Sequence, residues 1–206
     1  MADSRPAPVL SLHRQPGATP LESRDDETLM LLAARGHRRA FEVLAGRHLR
    51  ALTGFCAKFL GSPRSGEEVA QDALVEAWAQ RRRYRPGRFR VFLFTIARNR
   101  CRNRARDDRR RQAWQGPPRD DGGIGEAQLD RPDQLDALLE RERQRRAREA
   151  LLELPPKLRE AMLLRFDQGL DYAEISRIVG RPGVTIRSRV FHALRRLRAA
   201  LAEEAP

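Results

Sequence analysis

Apolar residues along this chain recur at intervals of three and four, and no stretch alternates with period two. That periodicity predicts an all-α fold without a sheet. The pattern divides the chain. Residues 1–24 carry Pro6, Pro8, Pro16 and Pro20 with little periodicity and read as a disordered tail. Helical patterns fill 25–111 and return over 141–206. Between them, 112–140 reads as a flexible linker broken by Gly116, Pro117, Pro118, Gly122, Gly123 and Gly125. Two small helical domains joined by a linker are therefore expected.

The spacing is most detailed in the second lobe. Leu154-Pro155-Pro156 predicts a helix start with proline where a missing N–H is harmless. Leu158, Ala161, Met162 and Arg165-Phe166 follow at helical spacing, and Gly169 ends that helix. Asp171 and Glu174 have capping-box spacing and open a short helix with Ile175, Ile178 and Val179 on one face. Gly180-Arg181-Pro182-Gly183 makes a turn, with Thr185 as the N-cap of the last helix. There Ile186, Val190, Ala193, Leu194 and Leu197 share one side, opposite Ser188, His192 and Arg195. Phe191 beside that outer face is expected in the core. A short helix, a tight turn and a basic second helix form the element that enters a major groove.

In the first lobe, Ser65-Gly66-Glu67-Glu68 has capping-box spacing and predicts a helix through Trp78. Arg81 to Gly87 reads as a loop. Phe89, Phe92, Leu93 and Ile96 mark a core-facing helical stripe; Phe94 and Tyr84 fall off it, placed to stack on unpaired bases.

Charge changes the picture. Lys+Arg total 41 against 28 Asp+Glu, a net of +13, and all but two of the basic residues are arginine. Such an excess points to a polyanionic partner and away from an extracellular protein or a catalyst acting on small acids. The excess is unevenly placed. Residues 79–111 hold fourteen arginines and two acids, and 175–201 hold seven arginines and no acid. Residues 116–140 are net −5, an acidic linker in an otherwise basic chain. Glu68, Asp72 and Glu76 repeat at intervals of four beside Gln71, an acidic stripe suited to a basic protein partner.

Cys56 and Cys101 exclude a disulfide scaffold and a cysteine zinc cluster, and read as buried thiols in a reducing compartment. His192 has no histidine near it in sequence, so no metal site is expected. No apolar run reaches signal-peptide or membrane-span length, so a cytoplasmic protein without stable membrane insertion is expected.

This combination resembles the extracytoplasmic-function (ECF) sigma factors, the two-domain branch of the sigma-70 family, over most of 25–202. Asp26-Glu27-Thr28-Leu29 through Arg39-Ala40-Phe41-Glu42 is similar to the opening region-2 helices. Glu67 to Trp78 is similar to the segment that docks on the polymerase clamp, and Phe89 to Asn99 to the promoter-melting helix. Leu154-Pro155-Pro156, Gly169 to Ile175 and Thr185 to Arg189 resemble region 4. Phe92 stands where the family commonly has tryptophan, and Gly183-Val184 reverses the usual order before Thr185.

The resemblance implies a promoter-specificity subunit without catalysis or cofactor. Its partners would be bacterial core RNA polymerase, promoter DNA and an anti-sigma factor. It implies that Glu68, Gln71, Asp72 and Glu76 bind polymerase. Arg83, Arg85, Asn99, Arg102, Asn103 and Arg106 would contact the minus-ten element. Arg181, Thr185, Arg187, Ser188, Arg189 and His192 would contact the minus-thirty-five element. Two other readings make different demands. A stand-alone helix-turn-helix regulator needs an apolar dimer face. A nucleic-acid-modifying enzyme needs a carboxylate or metal-ligand cluster, for which Asp107-Asp108 in an arginine run is a poor match.

Overall fold

The computed structural model describes residues 20–115 and 133–203, with side chains over 20–111 and 141–202. The predicted tail up to 19 and the predicted linker over 116–132 lie outside the described residues. The described residues form helices and no strand. The front lobe holds α1 (Asp26–Ala34), α2 (Arg38–Leu60), α3 (Pro63–Ala79) and α4 (Phe89–Gln115). The back lobe holds α5 (Asp133–Glu153), α6 (Pro156–Met162), α7 (Tyr172–Val179) and α8 (Gly183–Glu203). The ends of the 112–140 segment are thus helical, and Leu21–Ser23 forms a 3-10 turn beside α1.

The α2–α3 hairpin turns on Gly61, whose φ of 75° suits the left-handed region that glycine enters without a Cβ penalty. Ser62, not Ser65, caps α3: its hydroxyl accepts from the Ser65 N–H at 3.2 Å, with Pro63 just inside. Capping-box spacing misplaced the start because Pro63 tolerates the first helical position and Ser62 precedes it. Gly66 therefore lies inside α3, where its absent side chain lets α2 approach; a Cβ there would fall 2.4 Å from the Ala57 Cα.

Phe55, Phe59 and Phe94 fill the front core, Phe94 edge-on to Phe55 at 5.4 Å. Phe94 is wholly buried and is not available to bases, because α4 is covered on two sides by α2 and the back lobe. Tyr84 is half-buried and its hydroxyl donates to Glu27 at 2.5 Å. Glu27 also accepts from the Phe89 N–H at 2.5 Å and the Gly87 N–H at 3.1 Å, so α1 caps the start of α4. Both free cysteines are buried. A hydrogen bond with Cys56, reinforced by burial, pushes the Cys101 thiol far up, so it stays protonated and unreactive.

In the back lobe Pro156 opens α6, and Leu163–Asp167 widens into a π-helical turn. Asp171 and Glu174 complete the predicted capping box on α7, and Gly180 ends that helix with φ 67°. Helix α8 begins at Gly183, so Thr185 sits in its first turn instead of capping it, its N–H donating to the Pro182 carbonyl at 2.9 Å. Ile186, Val190 and Ala193 are buried as predicted. Phe191, expected in the core, is 63% exposed and stacks edge-on against His192; Phe166 is also exposed.

The lobes share one continuous core, reached from the back by Leu154, Ala161, Leu164, Leu170 and Ile175. Polar clasps frame it. The Arg159 guanidinium donates to the Phe59 carbonyl at 2.7 Å and to those of Leu151, Leu152 and Leu154, joining the C-termini of α2 and α5. Burial pulls the Arg159 pKa down, although four carbonyls hold the cation. Lys58 pairs with Asp167, and Arg90 donates to the Gln168 carbonyl at 2.6 Å. Arg88, at a left-handed φ of 70°, reaches Asp171 at 3.3 Å and Glu174 at 3.0 Å.

Two predictions follow from these contacts. Gly66→Ala should cost about 1–3 kcal/mol through overpacking against backbone, read as a lowered denaturation midpoint. An unchanged midpoint would mean that α2 and α3 part freely. The second concerns pH. The Thr28 hydroxyl, then its N–H, lowers the Asp25 carboxyl; the Glu174 N–H, then Arg88, lowers that of Asp171. Depressed carboxyls stabilise the fold above their ordinary value of 3.8 and lose that contribution as pH falls through the folded value. Thermal melting should therefore lose stability below pH 3.8, with a shallower slope in Asp171→Asn. An equal slope would remove Asp171 from the account.

Candidate nucleic-acid and partner interfaces

Glu68, Gln71 and Asp72 are exposed along α3, and Glu76 is half-buried. The stripe faces a second one. Arg104 meets Glu68 at 3.3 Å, and Arg100 meets Asp72 at 3.0 Å and Glu76 at 2.6 Å. Acids four apart on α3 thus oppose arginines four apart on α4. Pairs this exposed contribute ~0.2–1 kcal/mol each. Asp72 remains 62% exposed at its side chain and open to an outside cation. Both intervals of four were present in the sequence, but which face of α4 turns toward α3 was not.

Arg83 and Arg85 are exposed on the α3–α4 connection, where Arg81–Arg83 forms a 3-10 turn. Asn99, Arg102, Asn103 and Arg106 lie exposed on one face of α4, as their spacing predicted. Asn99 accepts from Arg98 at 3.0 Å, and Asn103 accepts from Arg106 at 3.4 Å. On the back lobe Arg181, Arg187, Ser188 and His192 are exposed, and Thr185 and Arg189 are partly covered. The Arg187 guanidinium lies 5.4 Å from the Tyr172 ring centre, a contact that steadies it over the start of α7.

The closed packing brings parts of both faces together. Glu160 of α6 is 1% exposed, and its carboxylate meets Arg98 at 3.1 Å and Arg102 at 3.7 Å. Beside this pair lies a cavity of about 320 Å³ lined by Arg98, Arg102, Lys157, Arg181 and Arg189 with Val179 and Gly180. Arg102 from the front face and Arg181 and Arg189 from the back face line the same cavity. Arg83, Arg85, Asn99, Asn103, Arg106, Thr185, Arg187, Ser188 and His192 do not line it. Glu160, Arg98 and Lys157 carried no signal of their own in the sequence, since their roles depend on contact between distant helices.

Residues 44–111 match the family model of Sigma-70 region 2, and 144–197 match that of Sigma-70, region 4. The ECF RNA polymerase sigma factor RpoE of Cereibacter sphaeroides is 31% identical over 188 residues, covering 87% of this chain and 97% of that protein. The chain belongs to the ECF RNA polymerase sigma factors. The RNA polymerase sigma-H factor of Pseudomonas aeruginosa is 27% identical over 187 residues, covering 88% of this chain and 96% of that one.

Among solved structures, CnrH in complex with the cytosolic domain of CnrY is similar at TM-score 0.65 and 25% identity, over 87% of this chain and 99% of that one. The sigma factor RpoE of Bartonella quintana, in complex with the anti-sigma factor NepR, is similar at TM-score 0.59 and 29% identity, over 76% and 93%. This sigma factor thus carries regions 2 and 4, with α1 ahead of the region-2 match.

In the sigma factor, Glu160→Ala should strand Arg98, only 13% exposed, and loosen the lobes at a cost of about 3 kcal/mol. Small-angle scattering should register a larger radius of gyration with helix content retained. An unchanged radius would show that the apolar core alone sets the arrangement.

Proposed function

We propose that this sigma factor docks on core polymerase through Glu68, Gln71, Asp72 and Glu76. It captures unpaired minus-ten bases with Arg83, Arg85, Asn99, Arg102, Asn103 and Arg106. It reads the minus-thirty-five element with Arg181, Thr185, Arg187, Ser188, Arg189 and His192. The protein performs no catalysis of its own and acts in the cytoplasm; among the described residues no helix is long and apolar enough to cross a membrane. The front lobe, 25–111, serves docking and melting, and the back lobe, 141–206, serves duplex reading.

One observation carries this reading. Two arginine-rich faces, on α4 and on α7–α8, accompany an acidic stripe on α3 that keeps its outer side open. Phosphate contacts from such faces supply affinity, and flipped or unpaired bases supply specificity. Two linked lobes also raise the effective concentration of the second contact.

The closed arrangement bears on mechanism. Elements about 25 base pairs apart are separated by roughly 85 Å of duplex at about 3.4 Å per pair. Arg102, Arg181 and Arg189 cannot reach both while lining one cavity. Promoter engagement therefore requires the lobes to part, breaking the Glu160 and Arg88 contacts. Polymerase, by holding the lobes separately, compensates for that cost. An anti-sigma partner, as in the similar complexes, would act on the same equilibrium.

Titration of labelled protein with bacterial core polymerase tests the docking assignment. Asp72→Arg should abolish binding with the fold intact, since its surface pair with Arg100 contributes at most ~1 kcal/mol. Retained binding would move the docking surface elsewhere.

A further inference from the structure

The cavity between the lobes is more than a meeting of two DNA-binding faces. Five cations line it, and two of them, Arg98 and Arg102, already share the buried Glu160 carboxylate. Lys157, Arg181 and Arg189 have no acidic partner among the described residues. The remaining wall, Val179 and Gly180, brings no negative side chain. Cations crowded into a recess focus a positive potential that favours an anion inside it.

Size selects among anions. At about 30 Å³ per water, a cavity of 320 Å³ holds on the order of ten waters. Duplex DNA does not enter such a space. A short chain of phosphoryl groups does, and it spreads its charge over several oxygens that guanidinium forks match in pairs. The donors come from α4, α6, the α7–α8 turn and α8, so one ligand would touch both lobes.

We propose that the inter-lobe cavity binds a compact polyphosphate anion of two or three phosphoryl groups, which ties the lobes into the closed arrangement. Bound there, it neutralises the repulsion among the five cations. It also occupies Arg102, Arg181 and Arg189, three residues proposed above to contact promoter DNA. The ligand and the promoter then compete for the same side chains. The cavity itself is independent of whether polymerase docks on α3.

The test uses the full chain without polymerase. Inorganic triphosphate, orthophosphate and adenosine triphosphate are titrated by calorimetry at low and at physiological salt. A parallel measurement follows energy transfer between labels on the two lobes. Inorganic triphosphate should bind at least tenfold more tightly than orthophosphate and narrow the inter-lobe distance distribution. Lys157→Glu should weaken it at least tenfold. Lys157 is exposed in the first turn of α6, where a carboxylate suits the helix start, so folding is retained.

Arg110→Glu removes the same charge two turns beyond Arg102, at an exposed position away from the cavity, and should leave binding unchanged. Equal affinity for adenosine triphosphate would identify the polyphosphate end of a nucleotide as a sufficient ligand, and weaker affinity would identify the free inorganic chain. Equal weakening by Lys157→Glu and Arg110→Glu would overturn the proposal, showing only general attraction to a basic protein. So would binding that leaves the inter-lobe distances unchanged. Loss of polymerase binding in Asp72→Arg neither supports nor damages the cavity, so the two readings fail separately.

Discussion

A carboxylate withdrawn almost wholly from water needs compensating charge, and Glu160 finds it in Arg98 and Arg102 of the other lobe. That requirement fixes α6 against α4. Once α6 is fixed, Arg159 falls within reach of the exposed carbonyls ending α2 and α5, and Arg88 meets the start of α7. These contacts position the back lobe so that its turn residues and the α4 arginines border one recess. Because breaking a buried pair from one side is costly, the arrangement has the character of a latch.

The latch uses residues that are also proposed to meet promoter DNA. Arg102 serves the closed form through Glu160 and is proposed to serve DNA in the open one. The acidic stripe on α3 is likewise shared, its inner edge held by Arg100 and Arg104 while Asp72 keeps its outer side free. A chain so rich in arginine can do this because a guanidinium exchanges a carboxylate for a phosphate without changing its own geometry. Switching partners then costs desolvation and side-chain ordering, and no refolding of a lobe.

Much was legible in the sequence where the determining physics was local. Proline at the start of α6 and the Asp171–Glu174 box marked back-lobe helices, as did the apolar face of α8. Errors arose where two local signals competed or where burial decided. Ser62 outranked Ser65 because Pro63 follows it, and α8 began two residues ahead of Thr185 because the Pro182 carbonyl accepts from the Thr185 and Ile186 N–H groups. The apolar stripe beside Phe94 places it outward, yet α2 covers that side of α4. Phe191 goes the other way, left 63% exposed by the described residues on the outer side of α8.

The sequence by itself determined the all-helical class, the two lobes, their basic faces and the family, because periodicity, capping and charge clustering are properties of neighbouring residues. Tertiary structure alone decided which faces meet. Glu27 as a cap for α4, Arg159 as a clasp between two helix ends, and Glu160 between two arginines all join residues remote in sequence. Their pairing depends on which helix surfaces meet, a matter of shape and buried charge across the whole core. The cavity of five cations exists only after that fit is made.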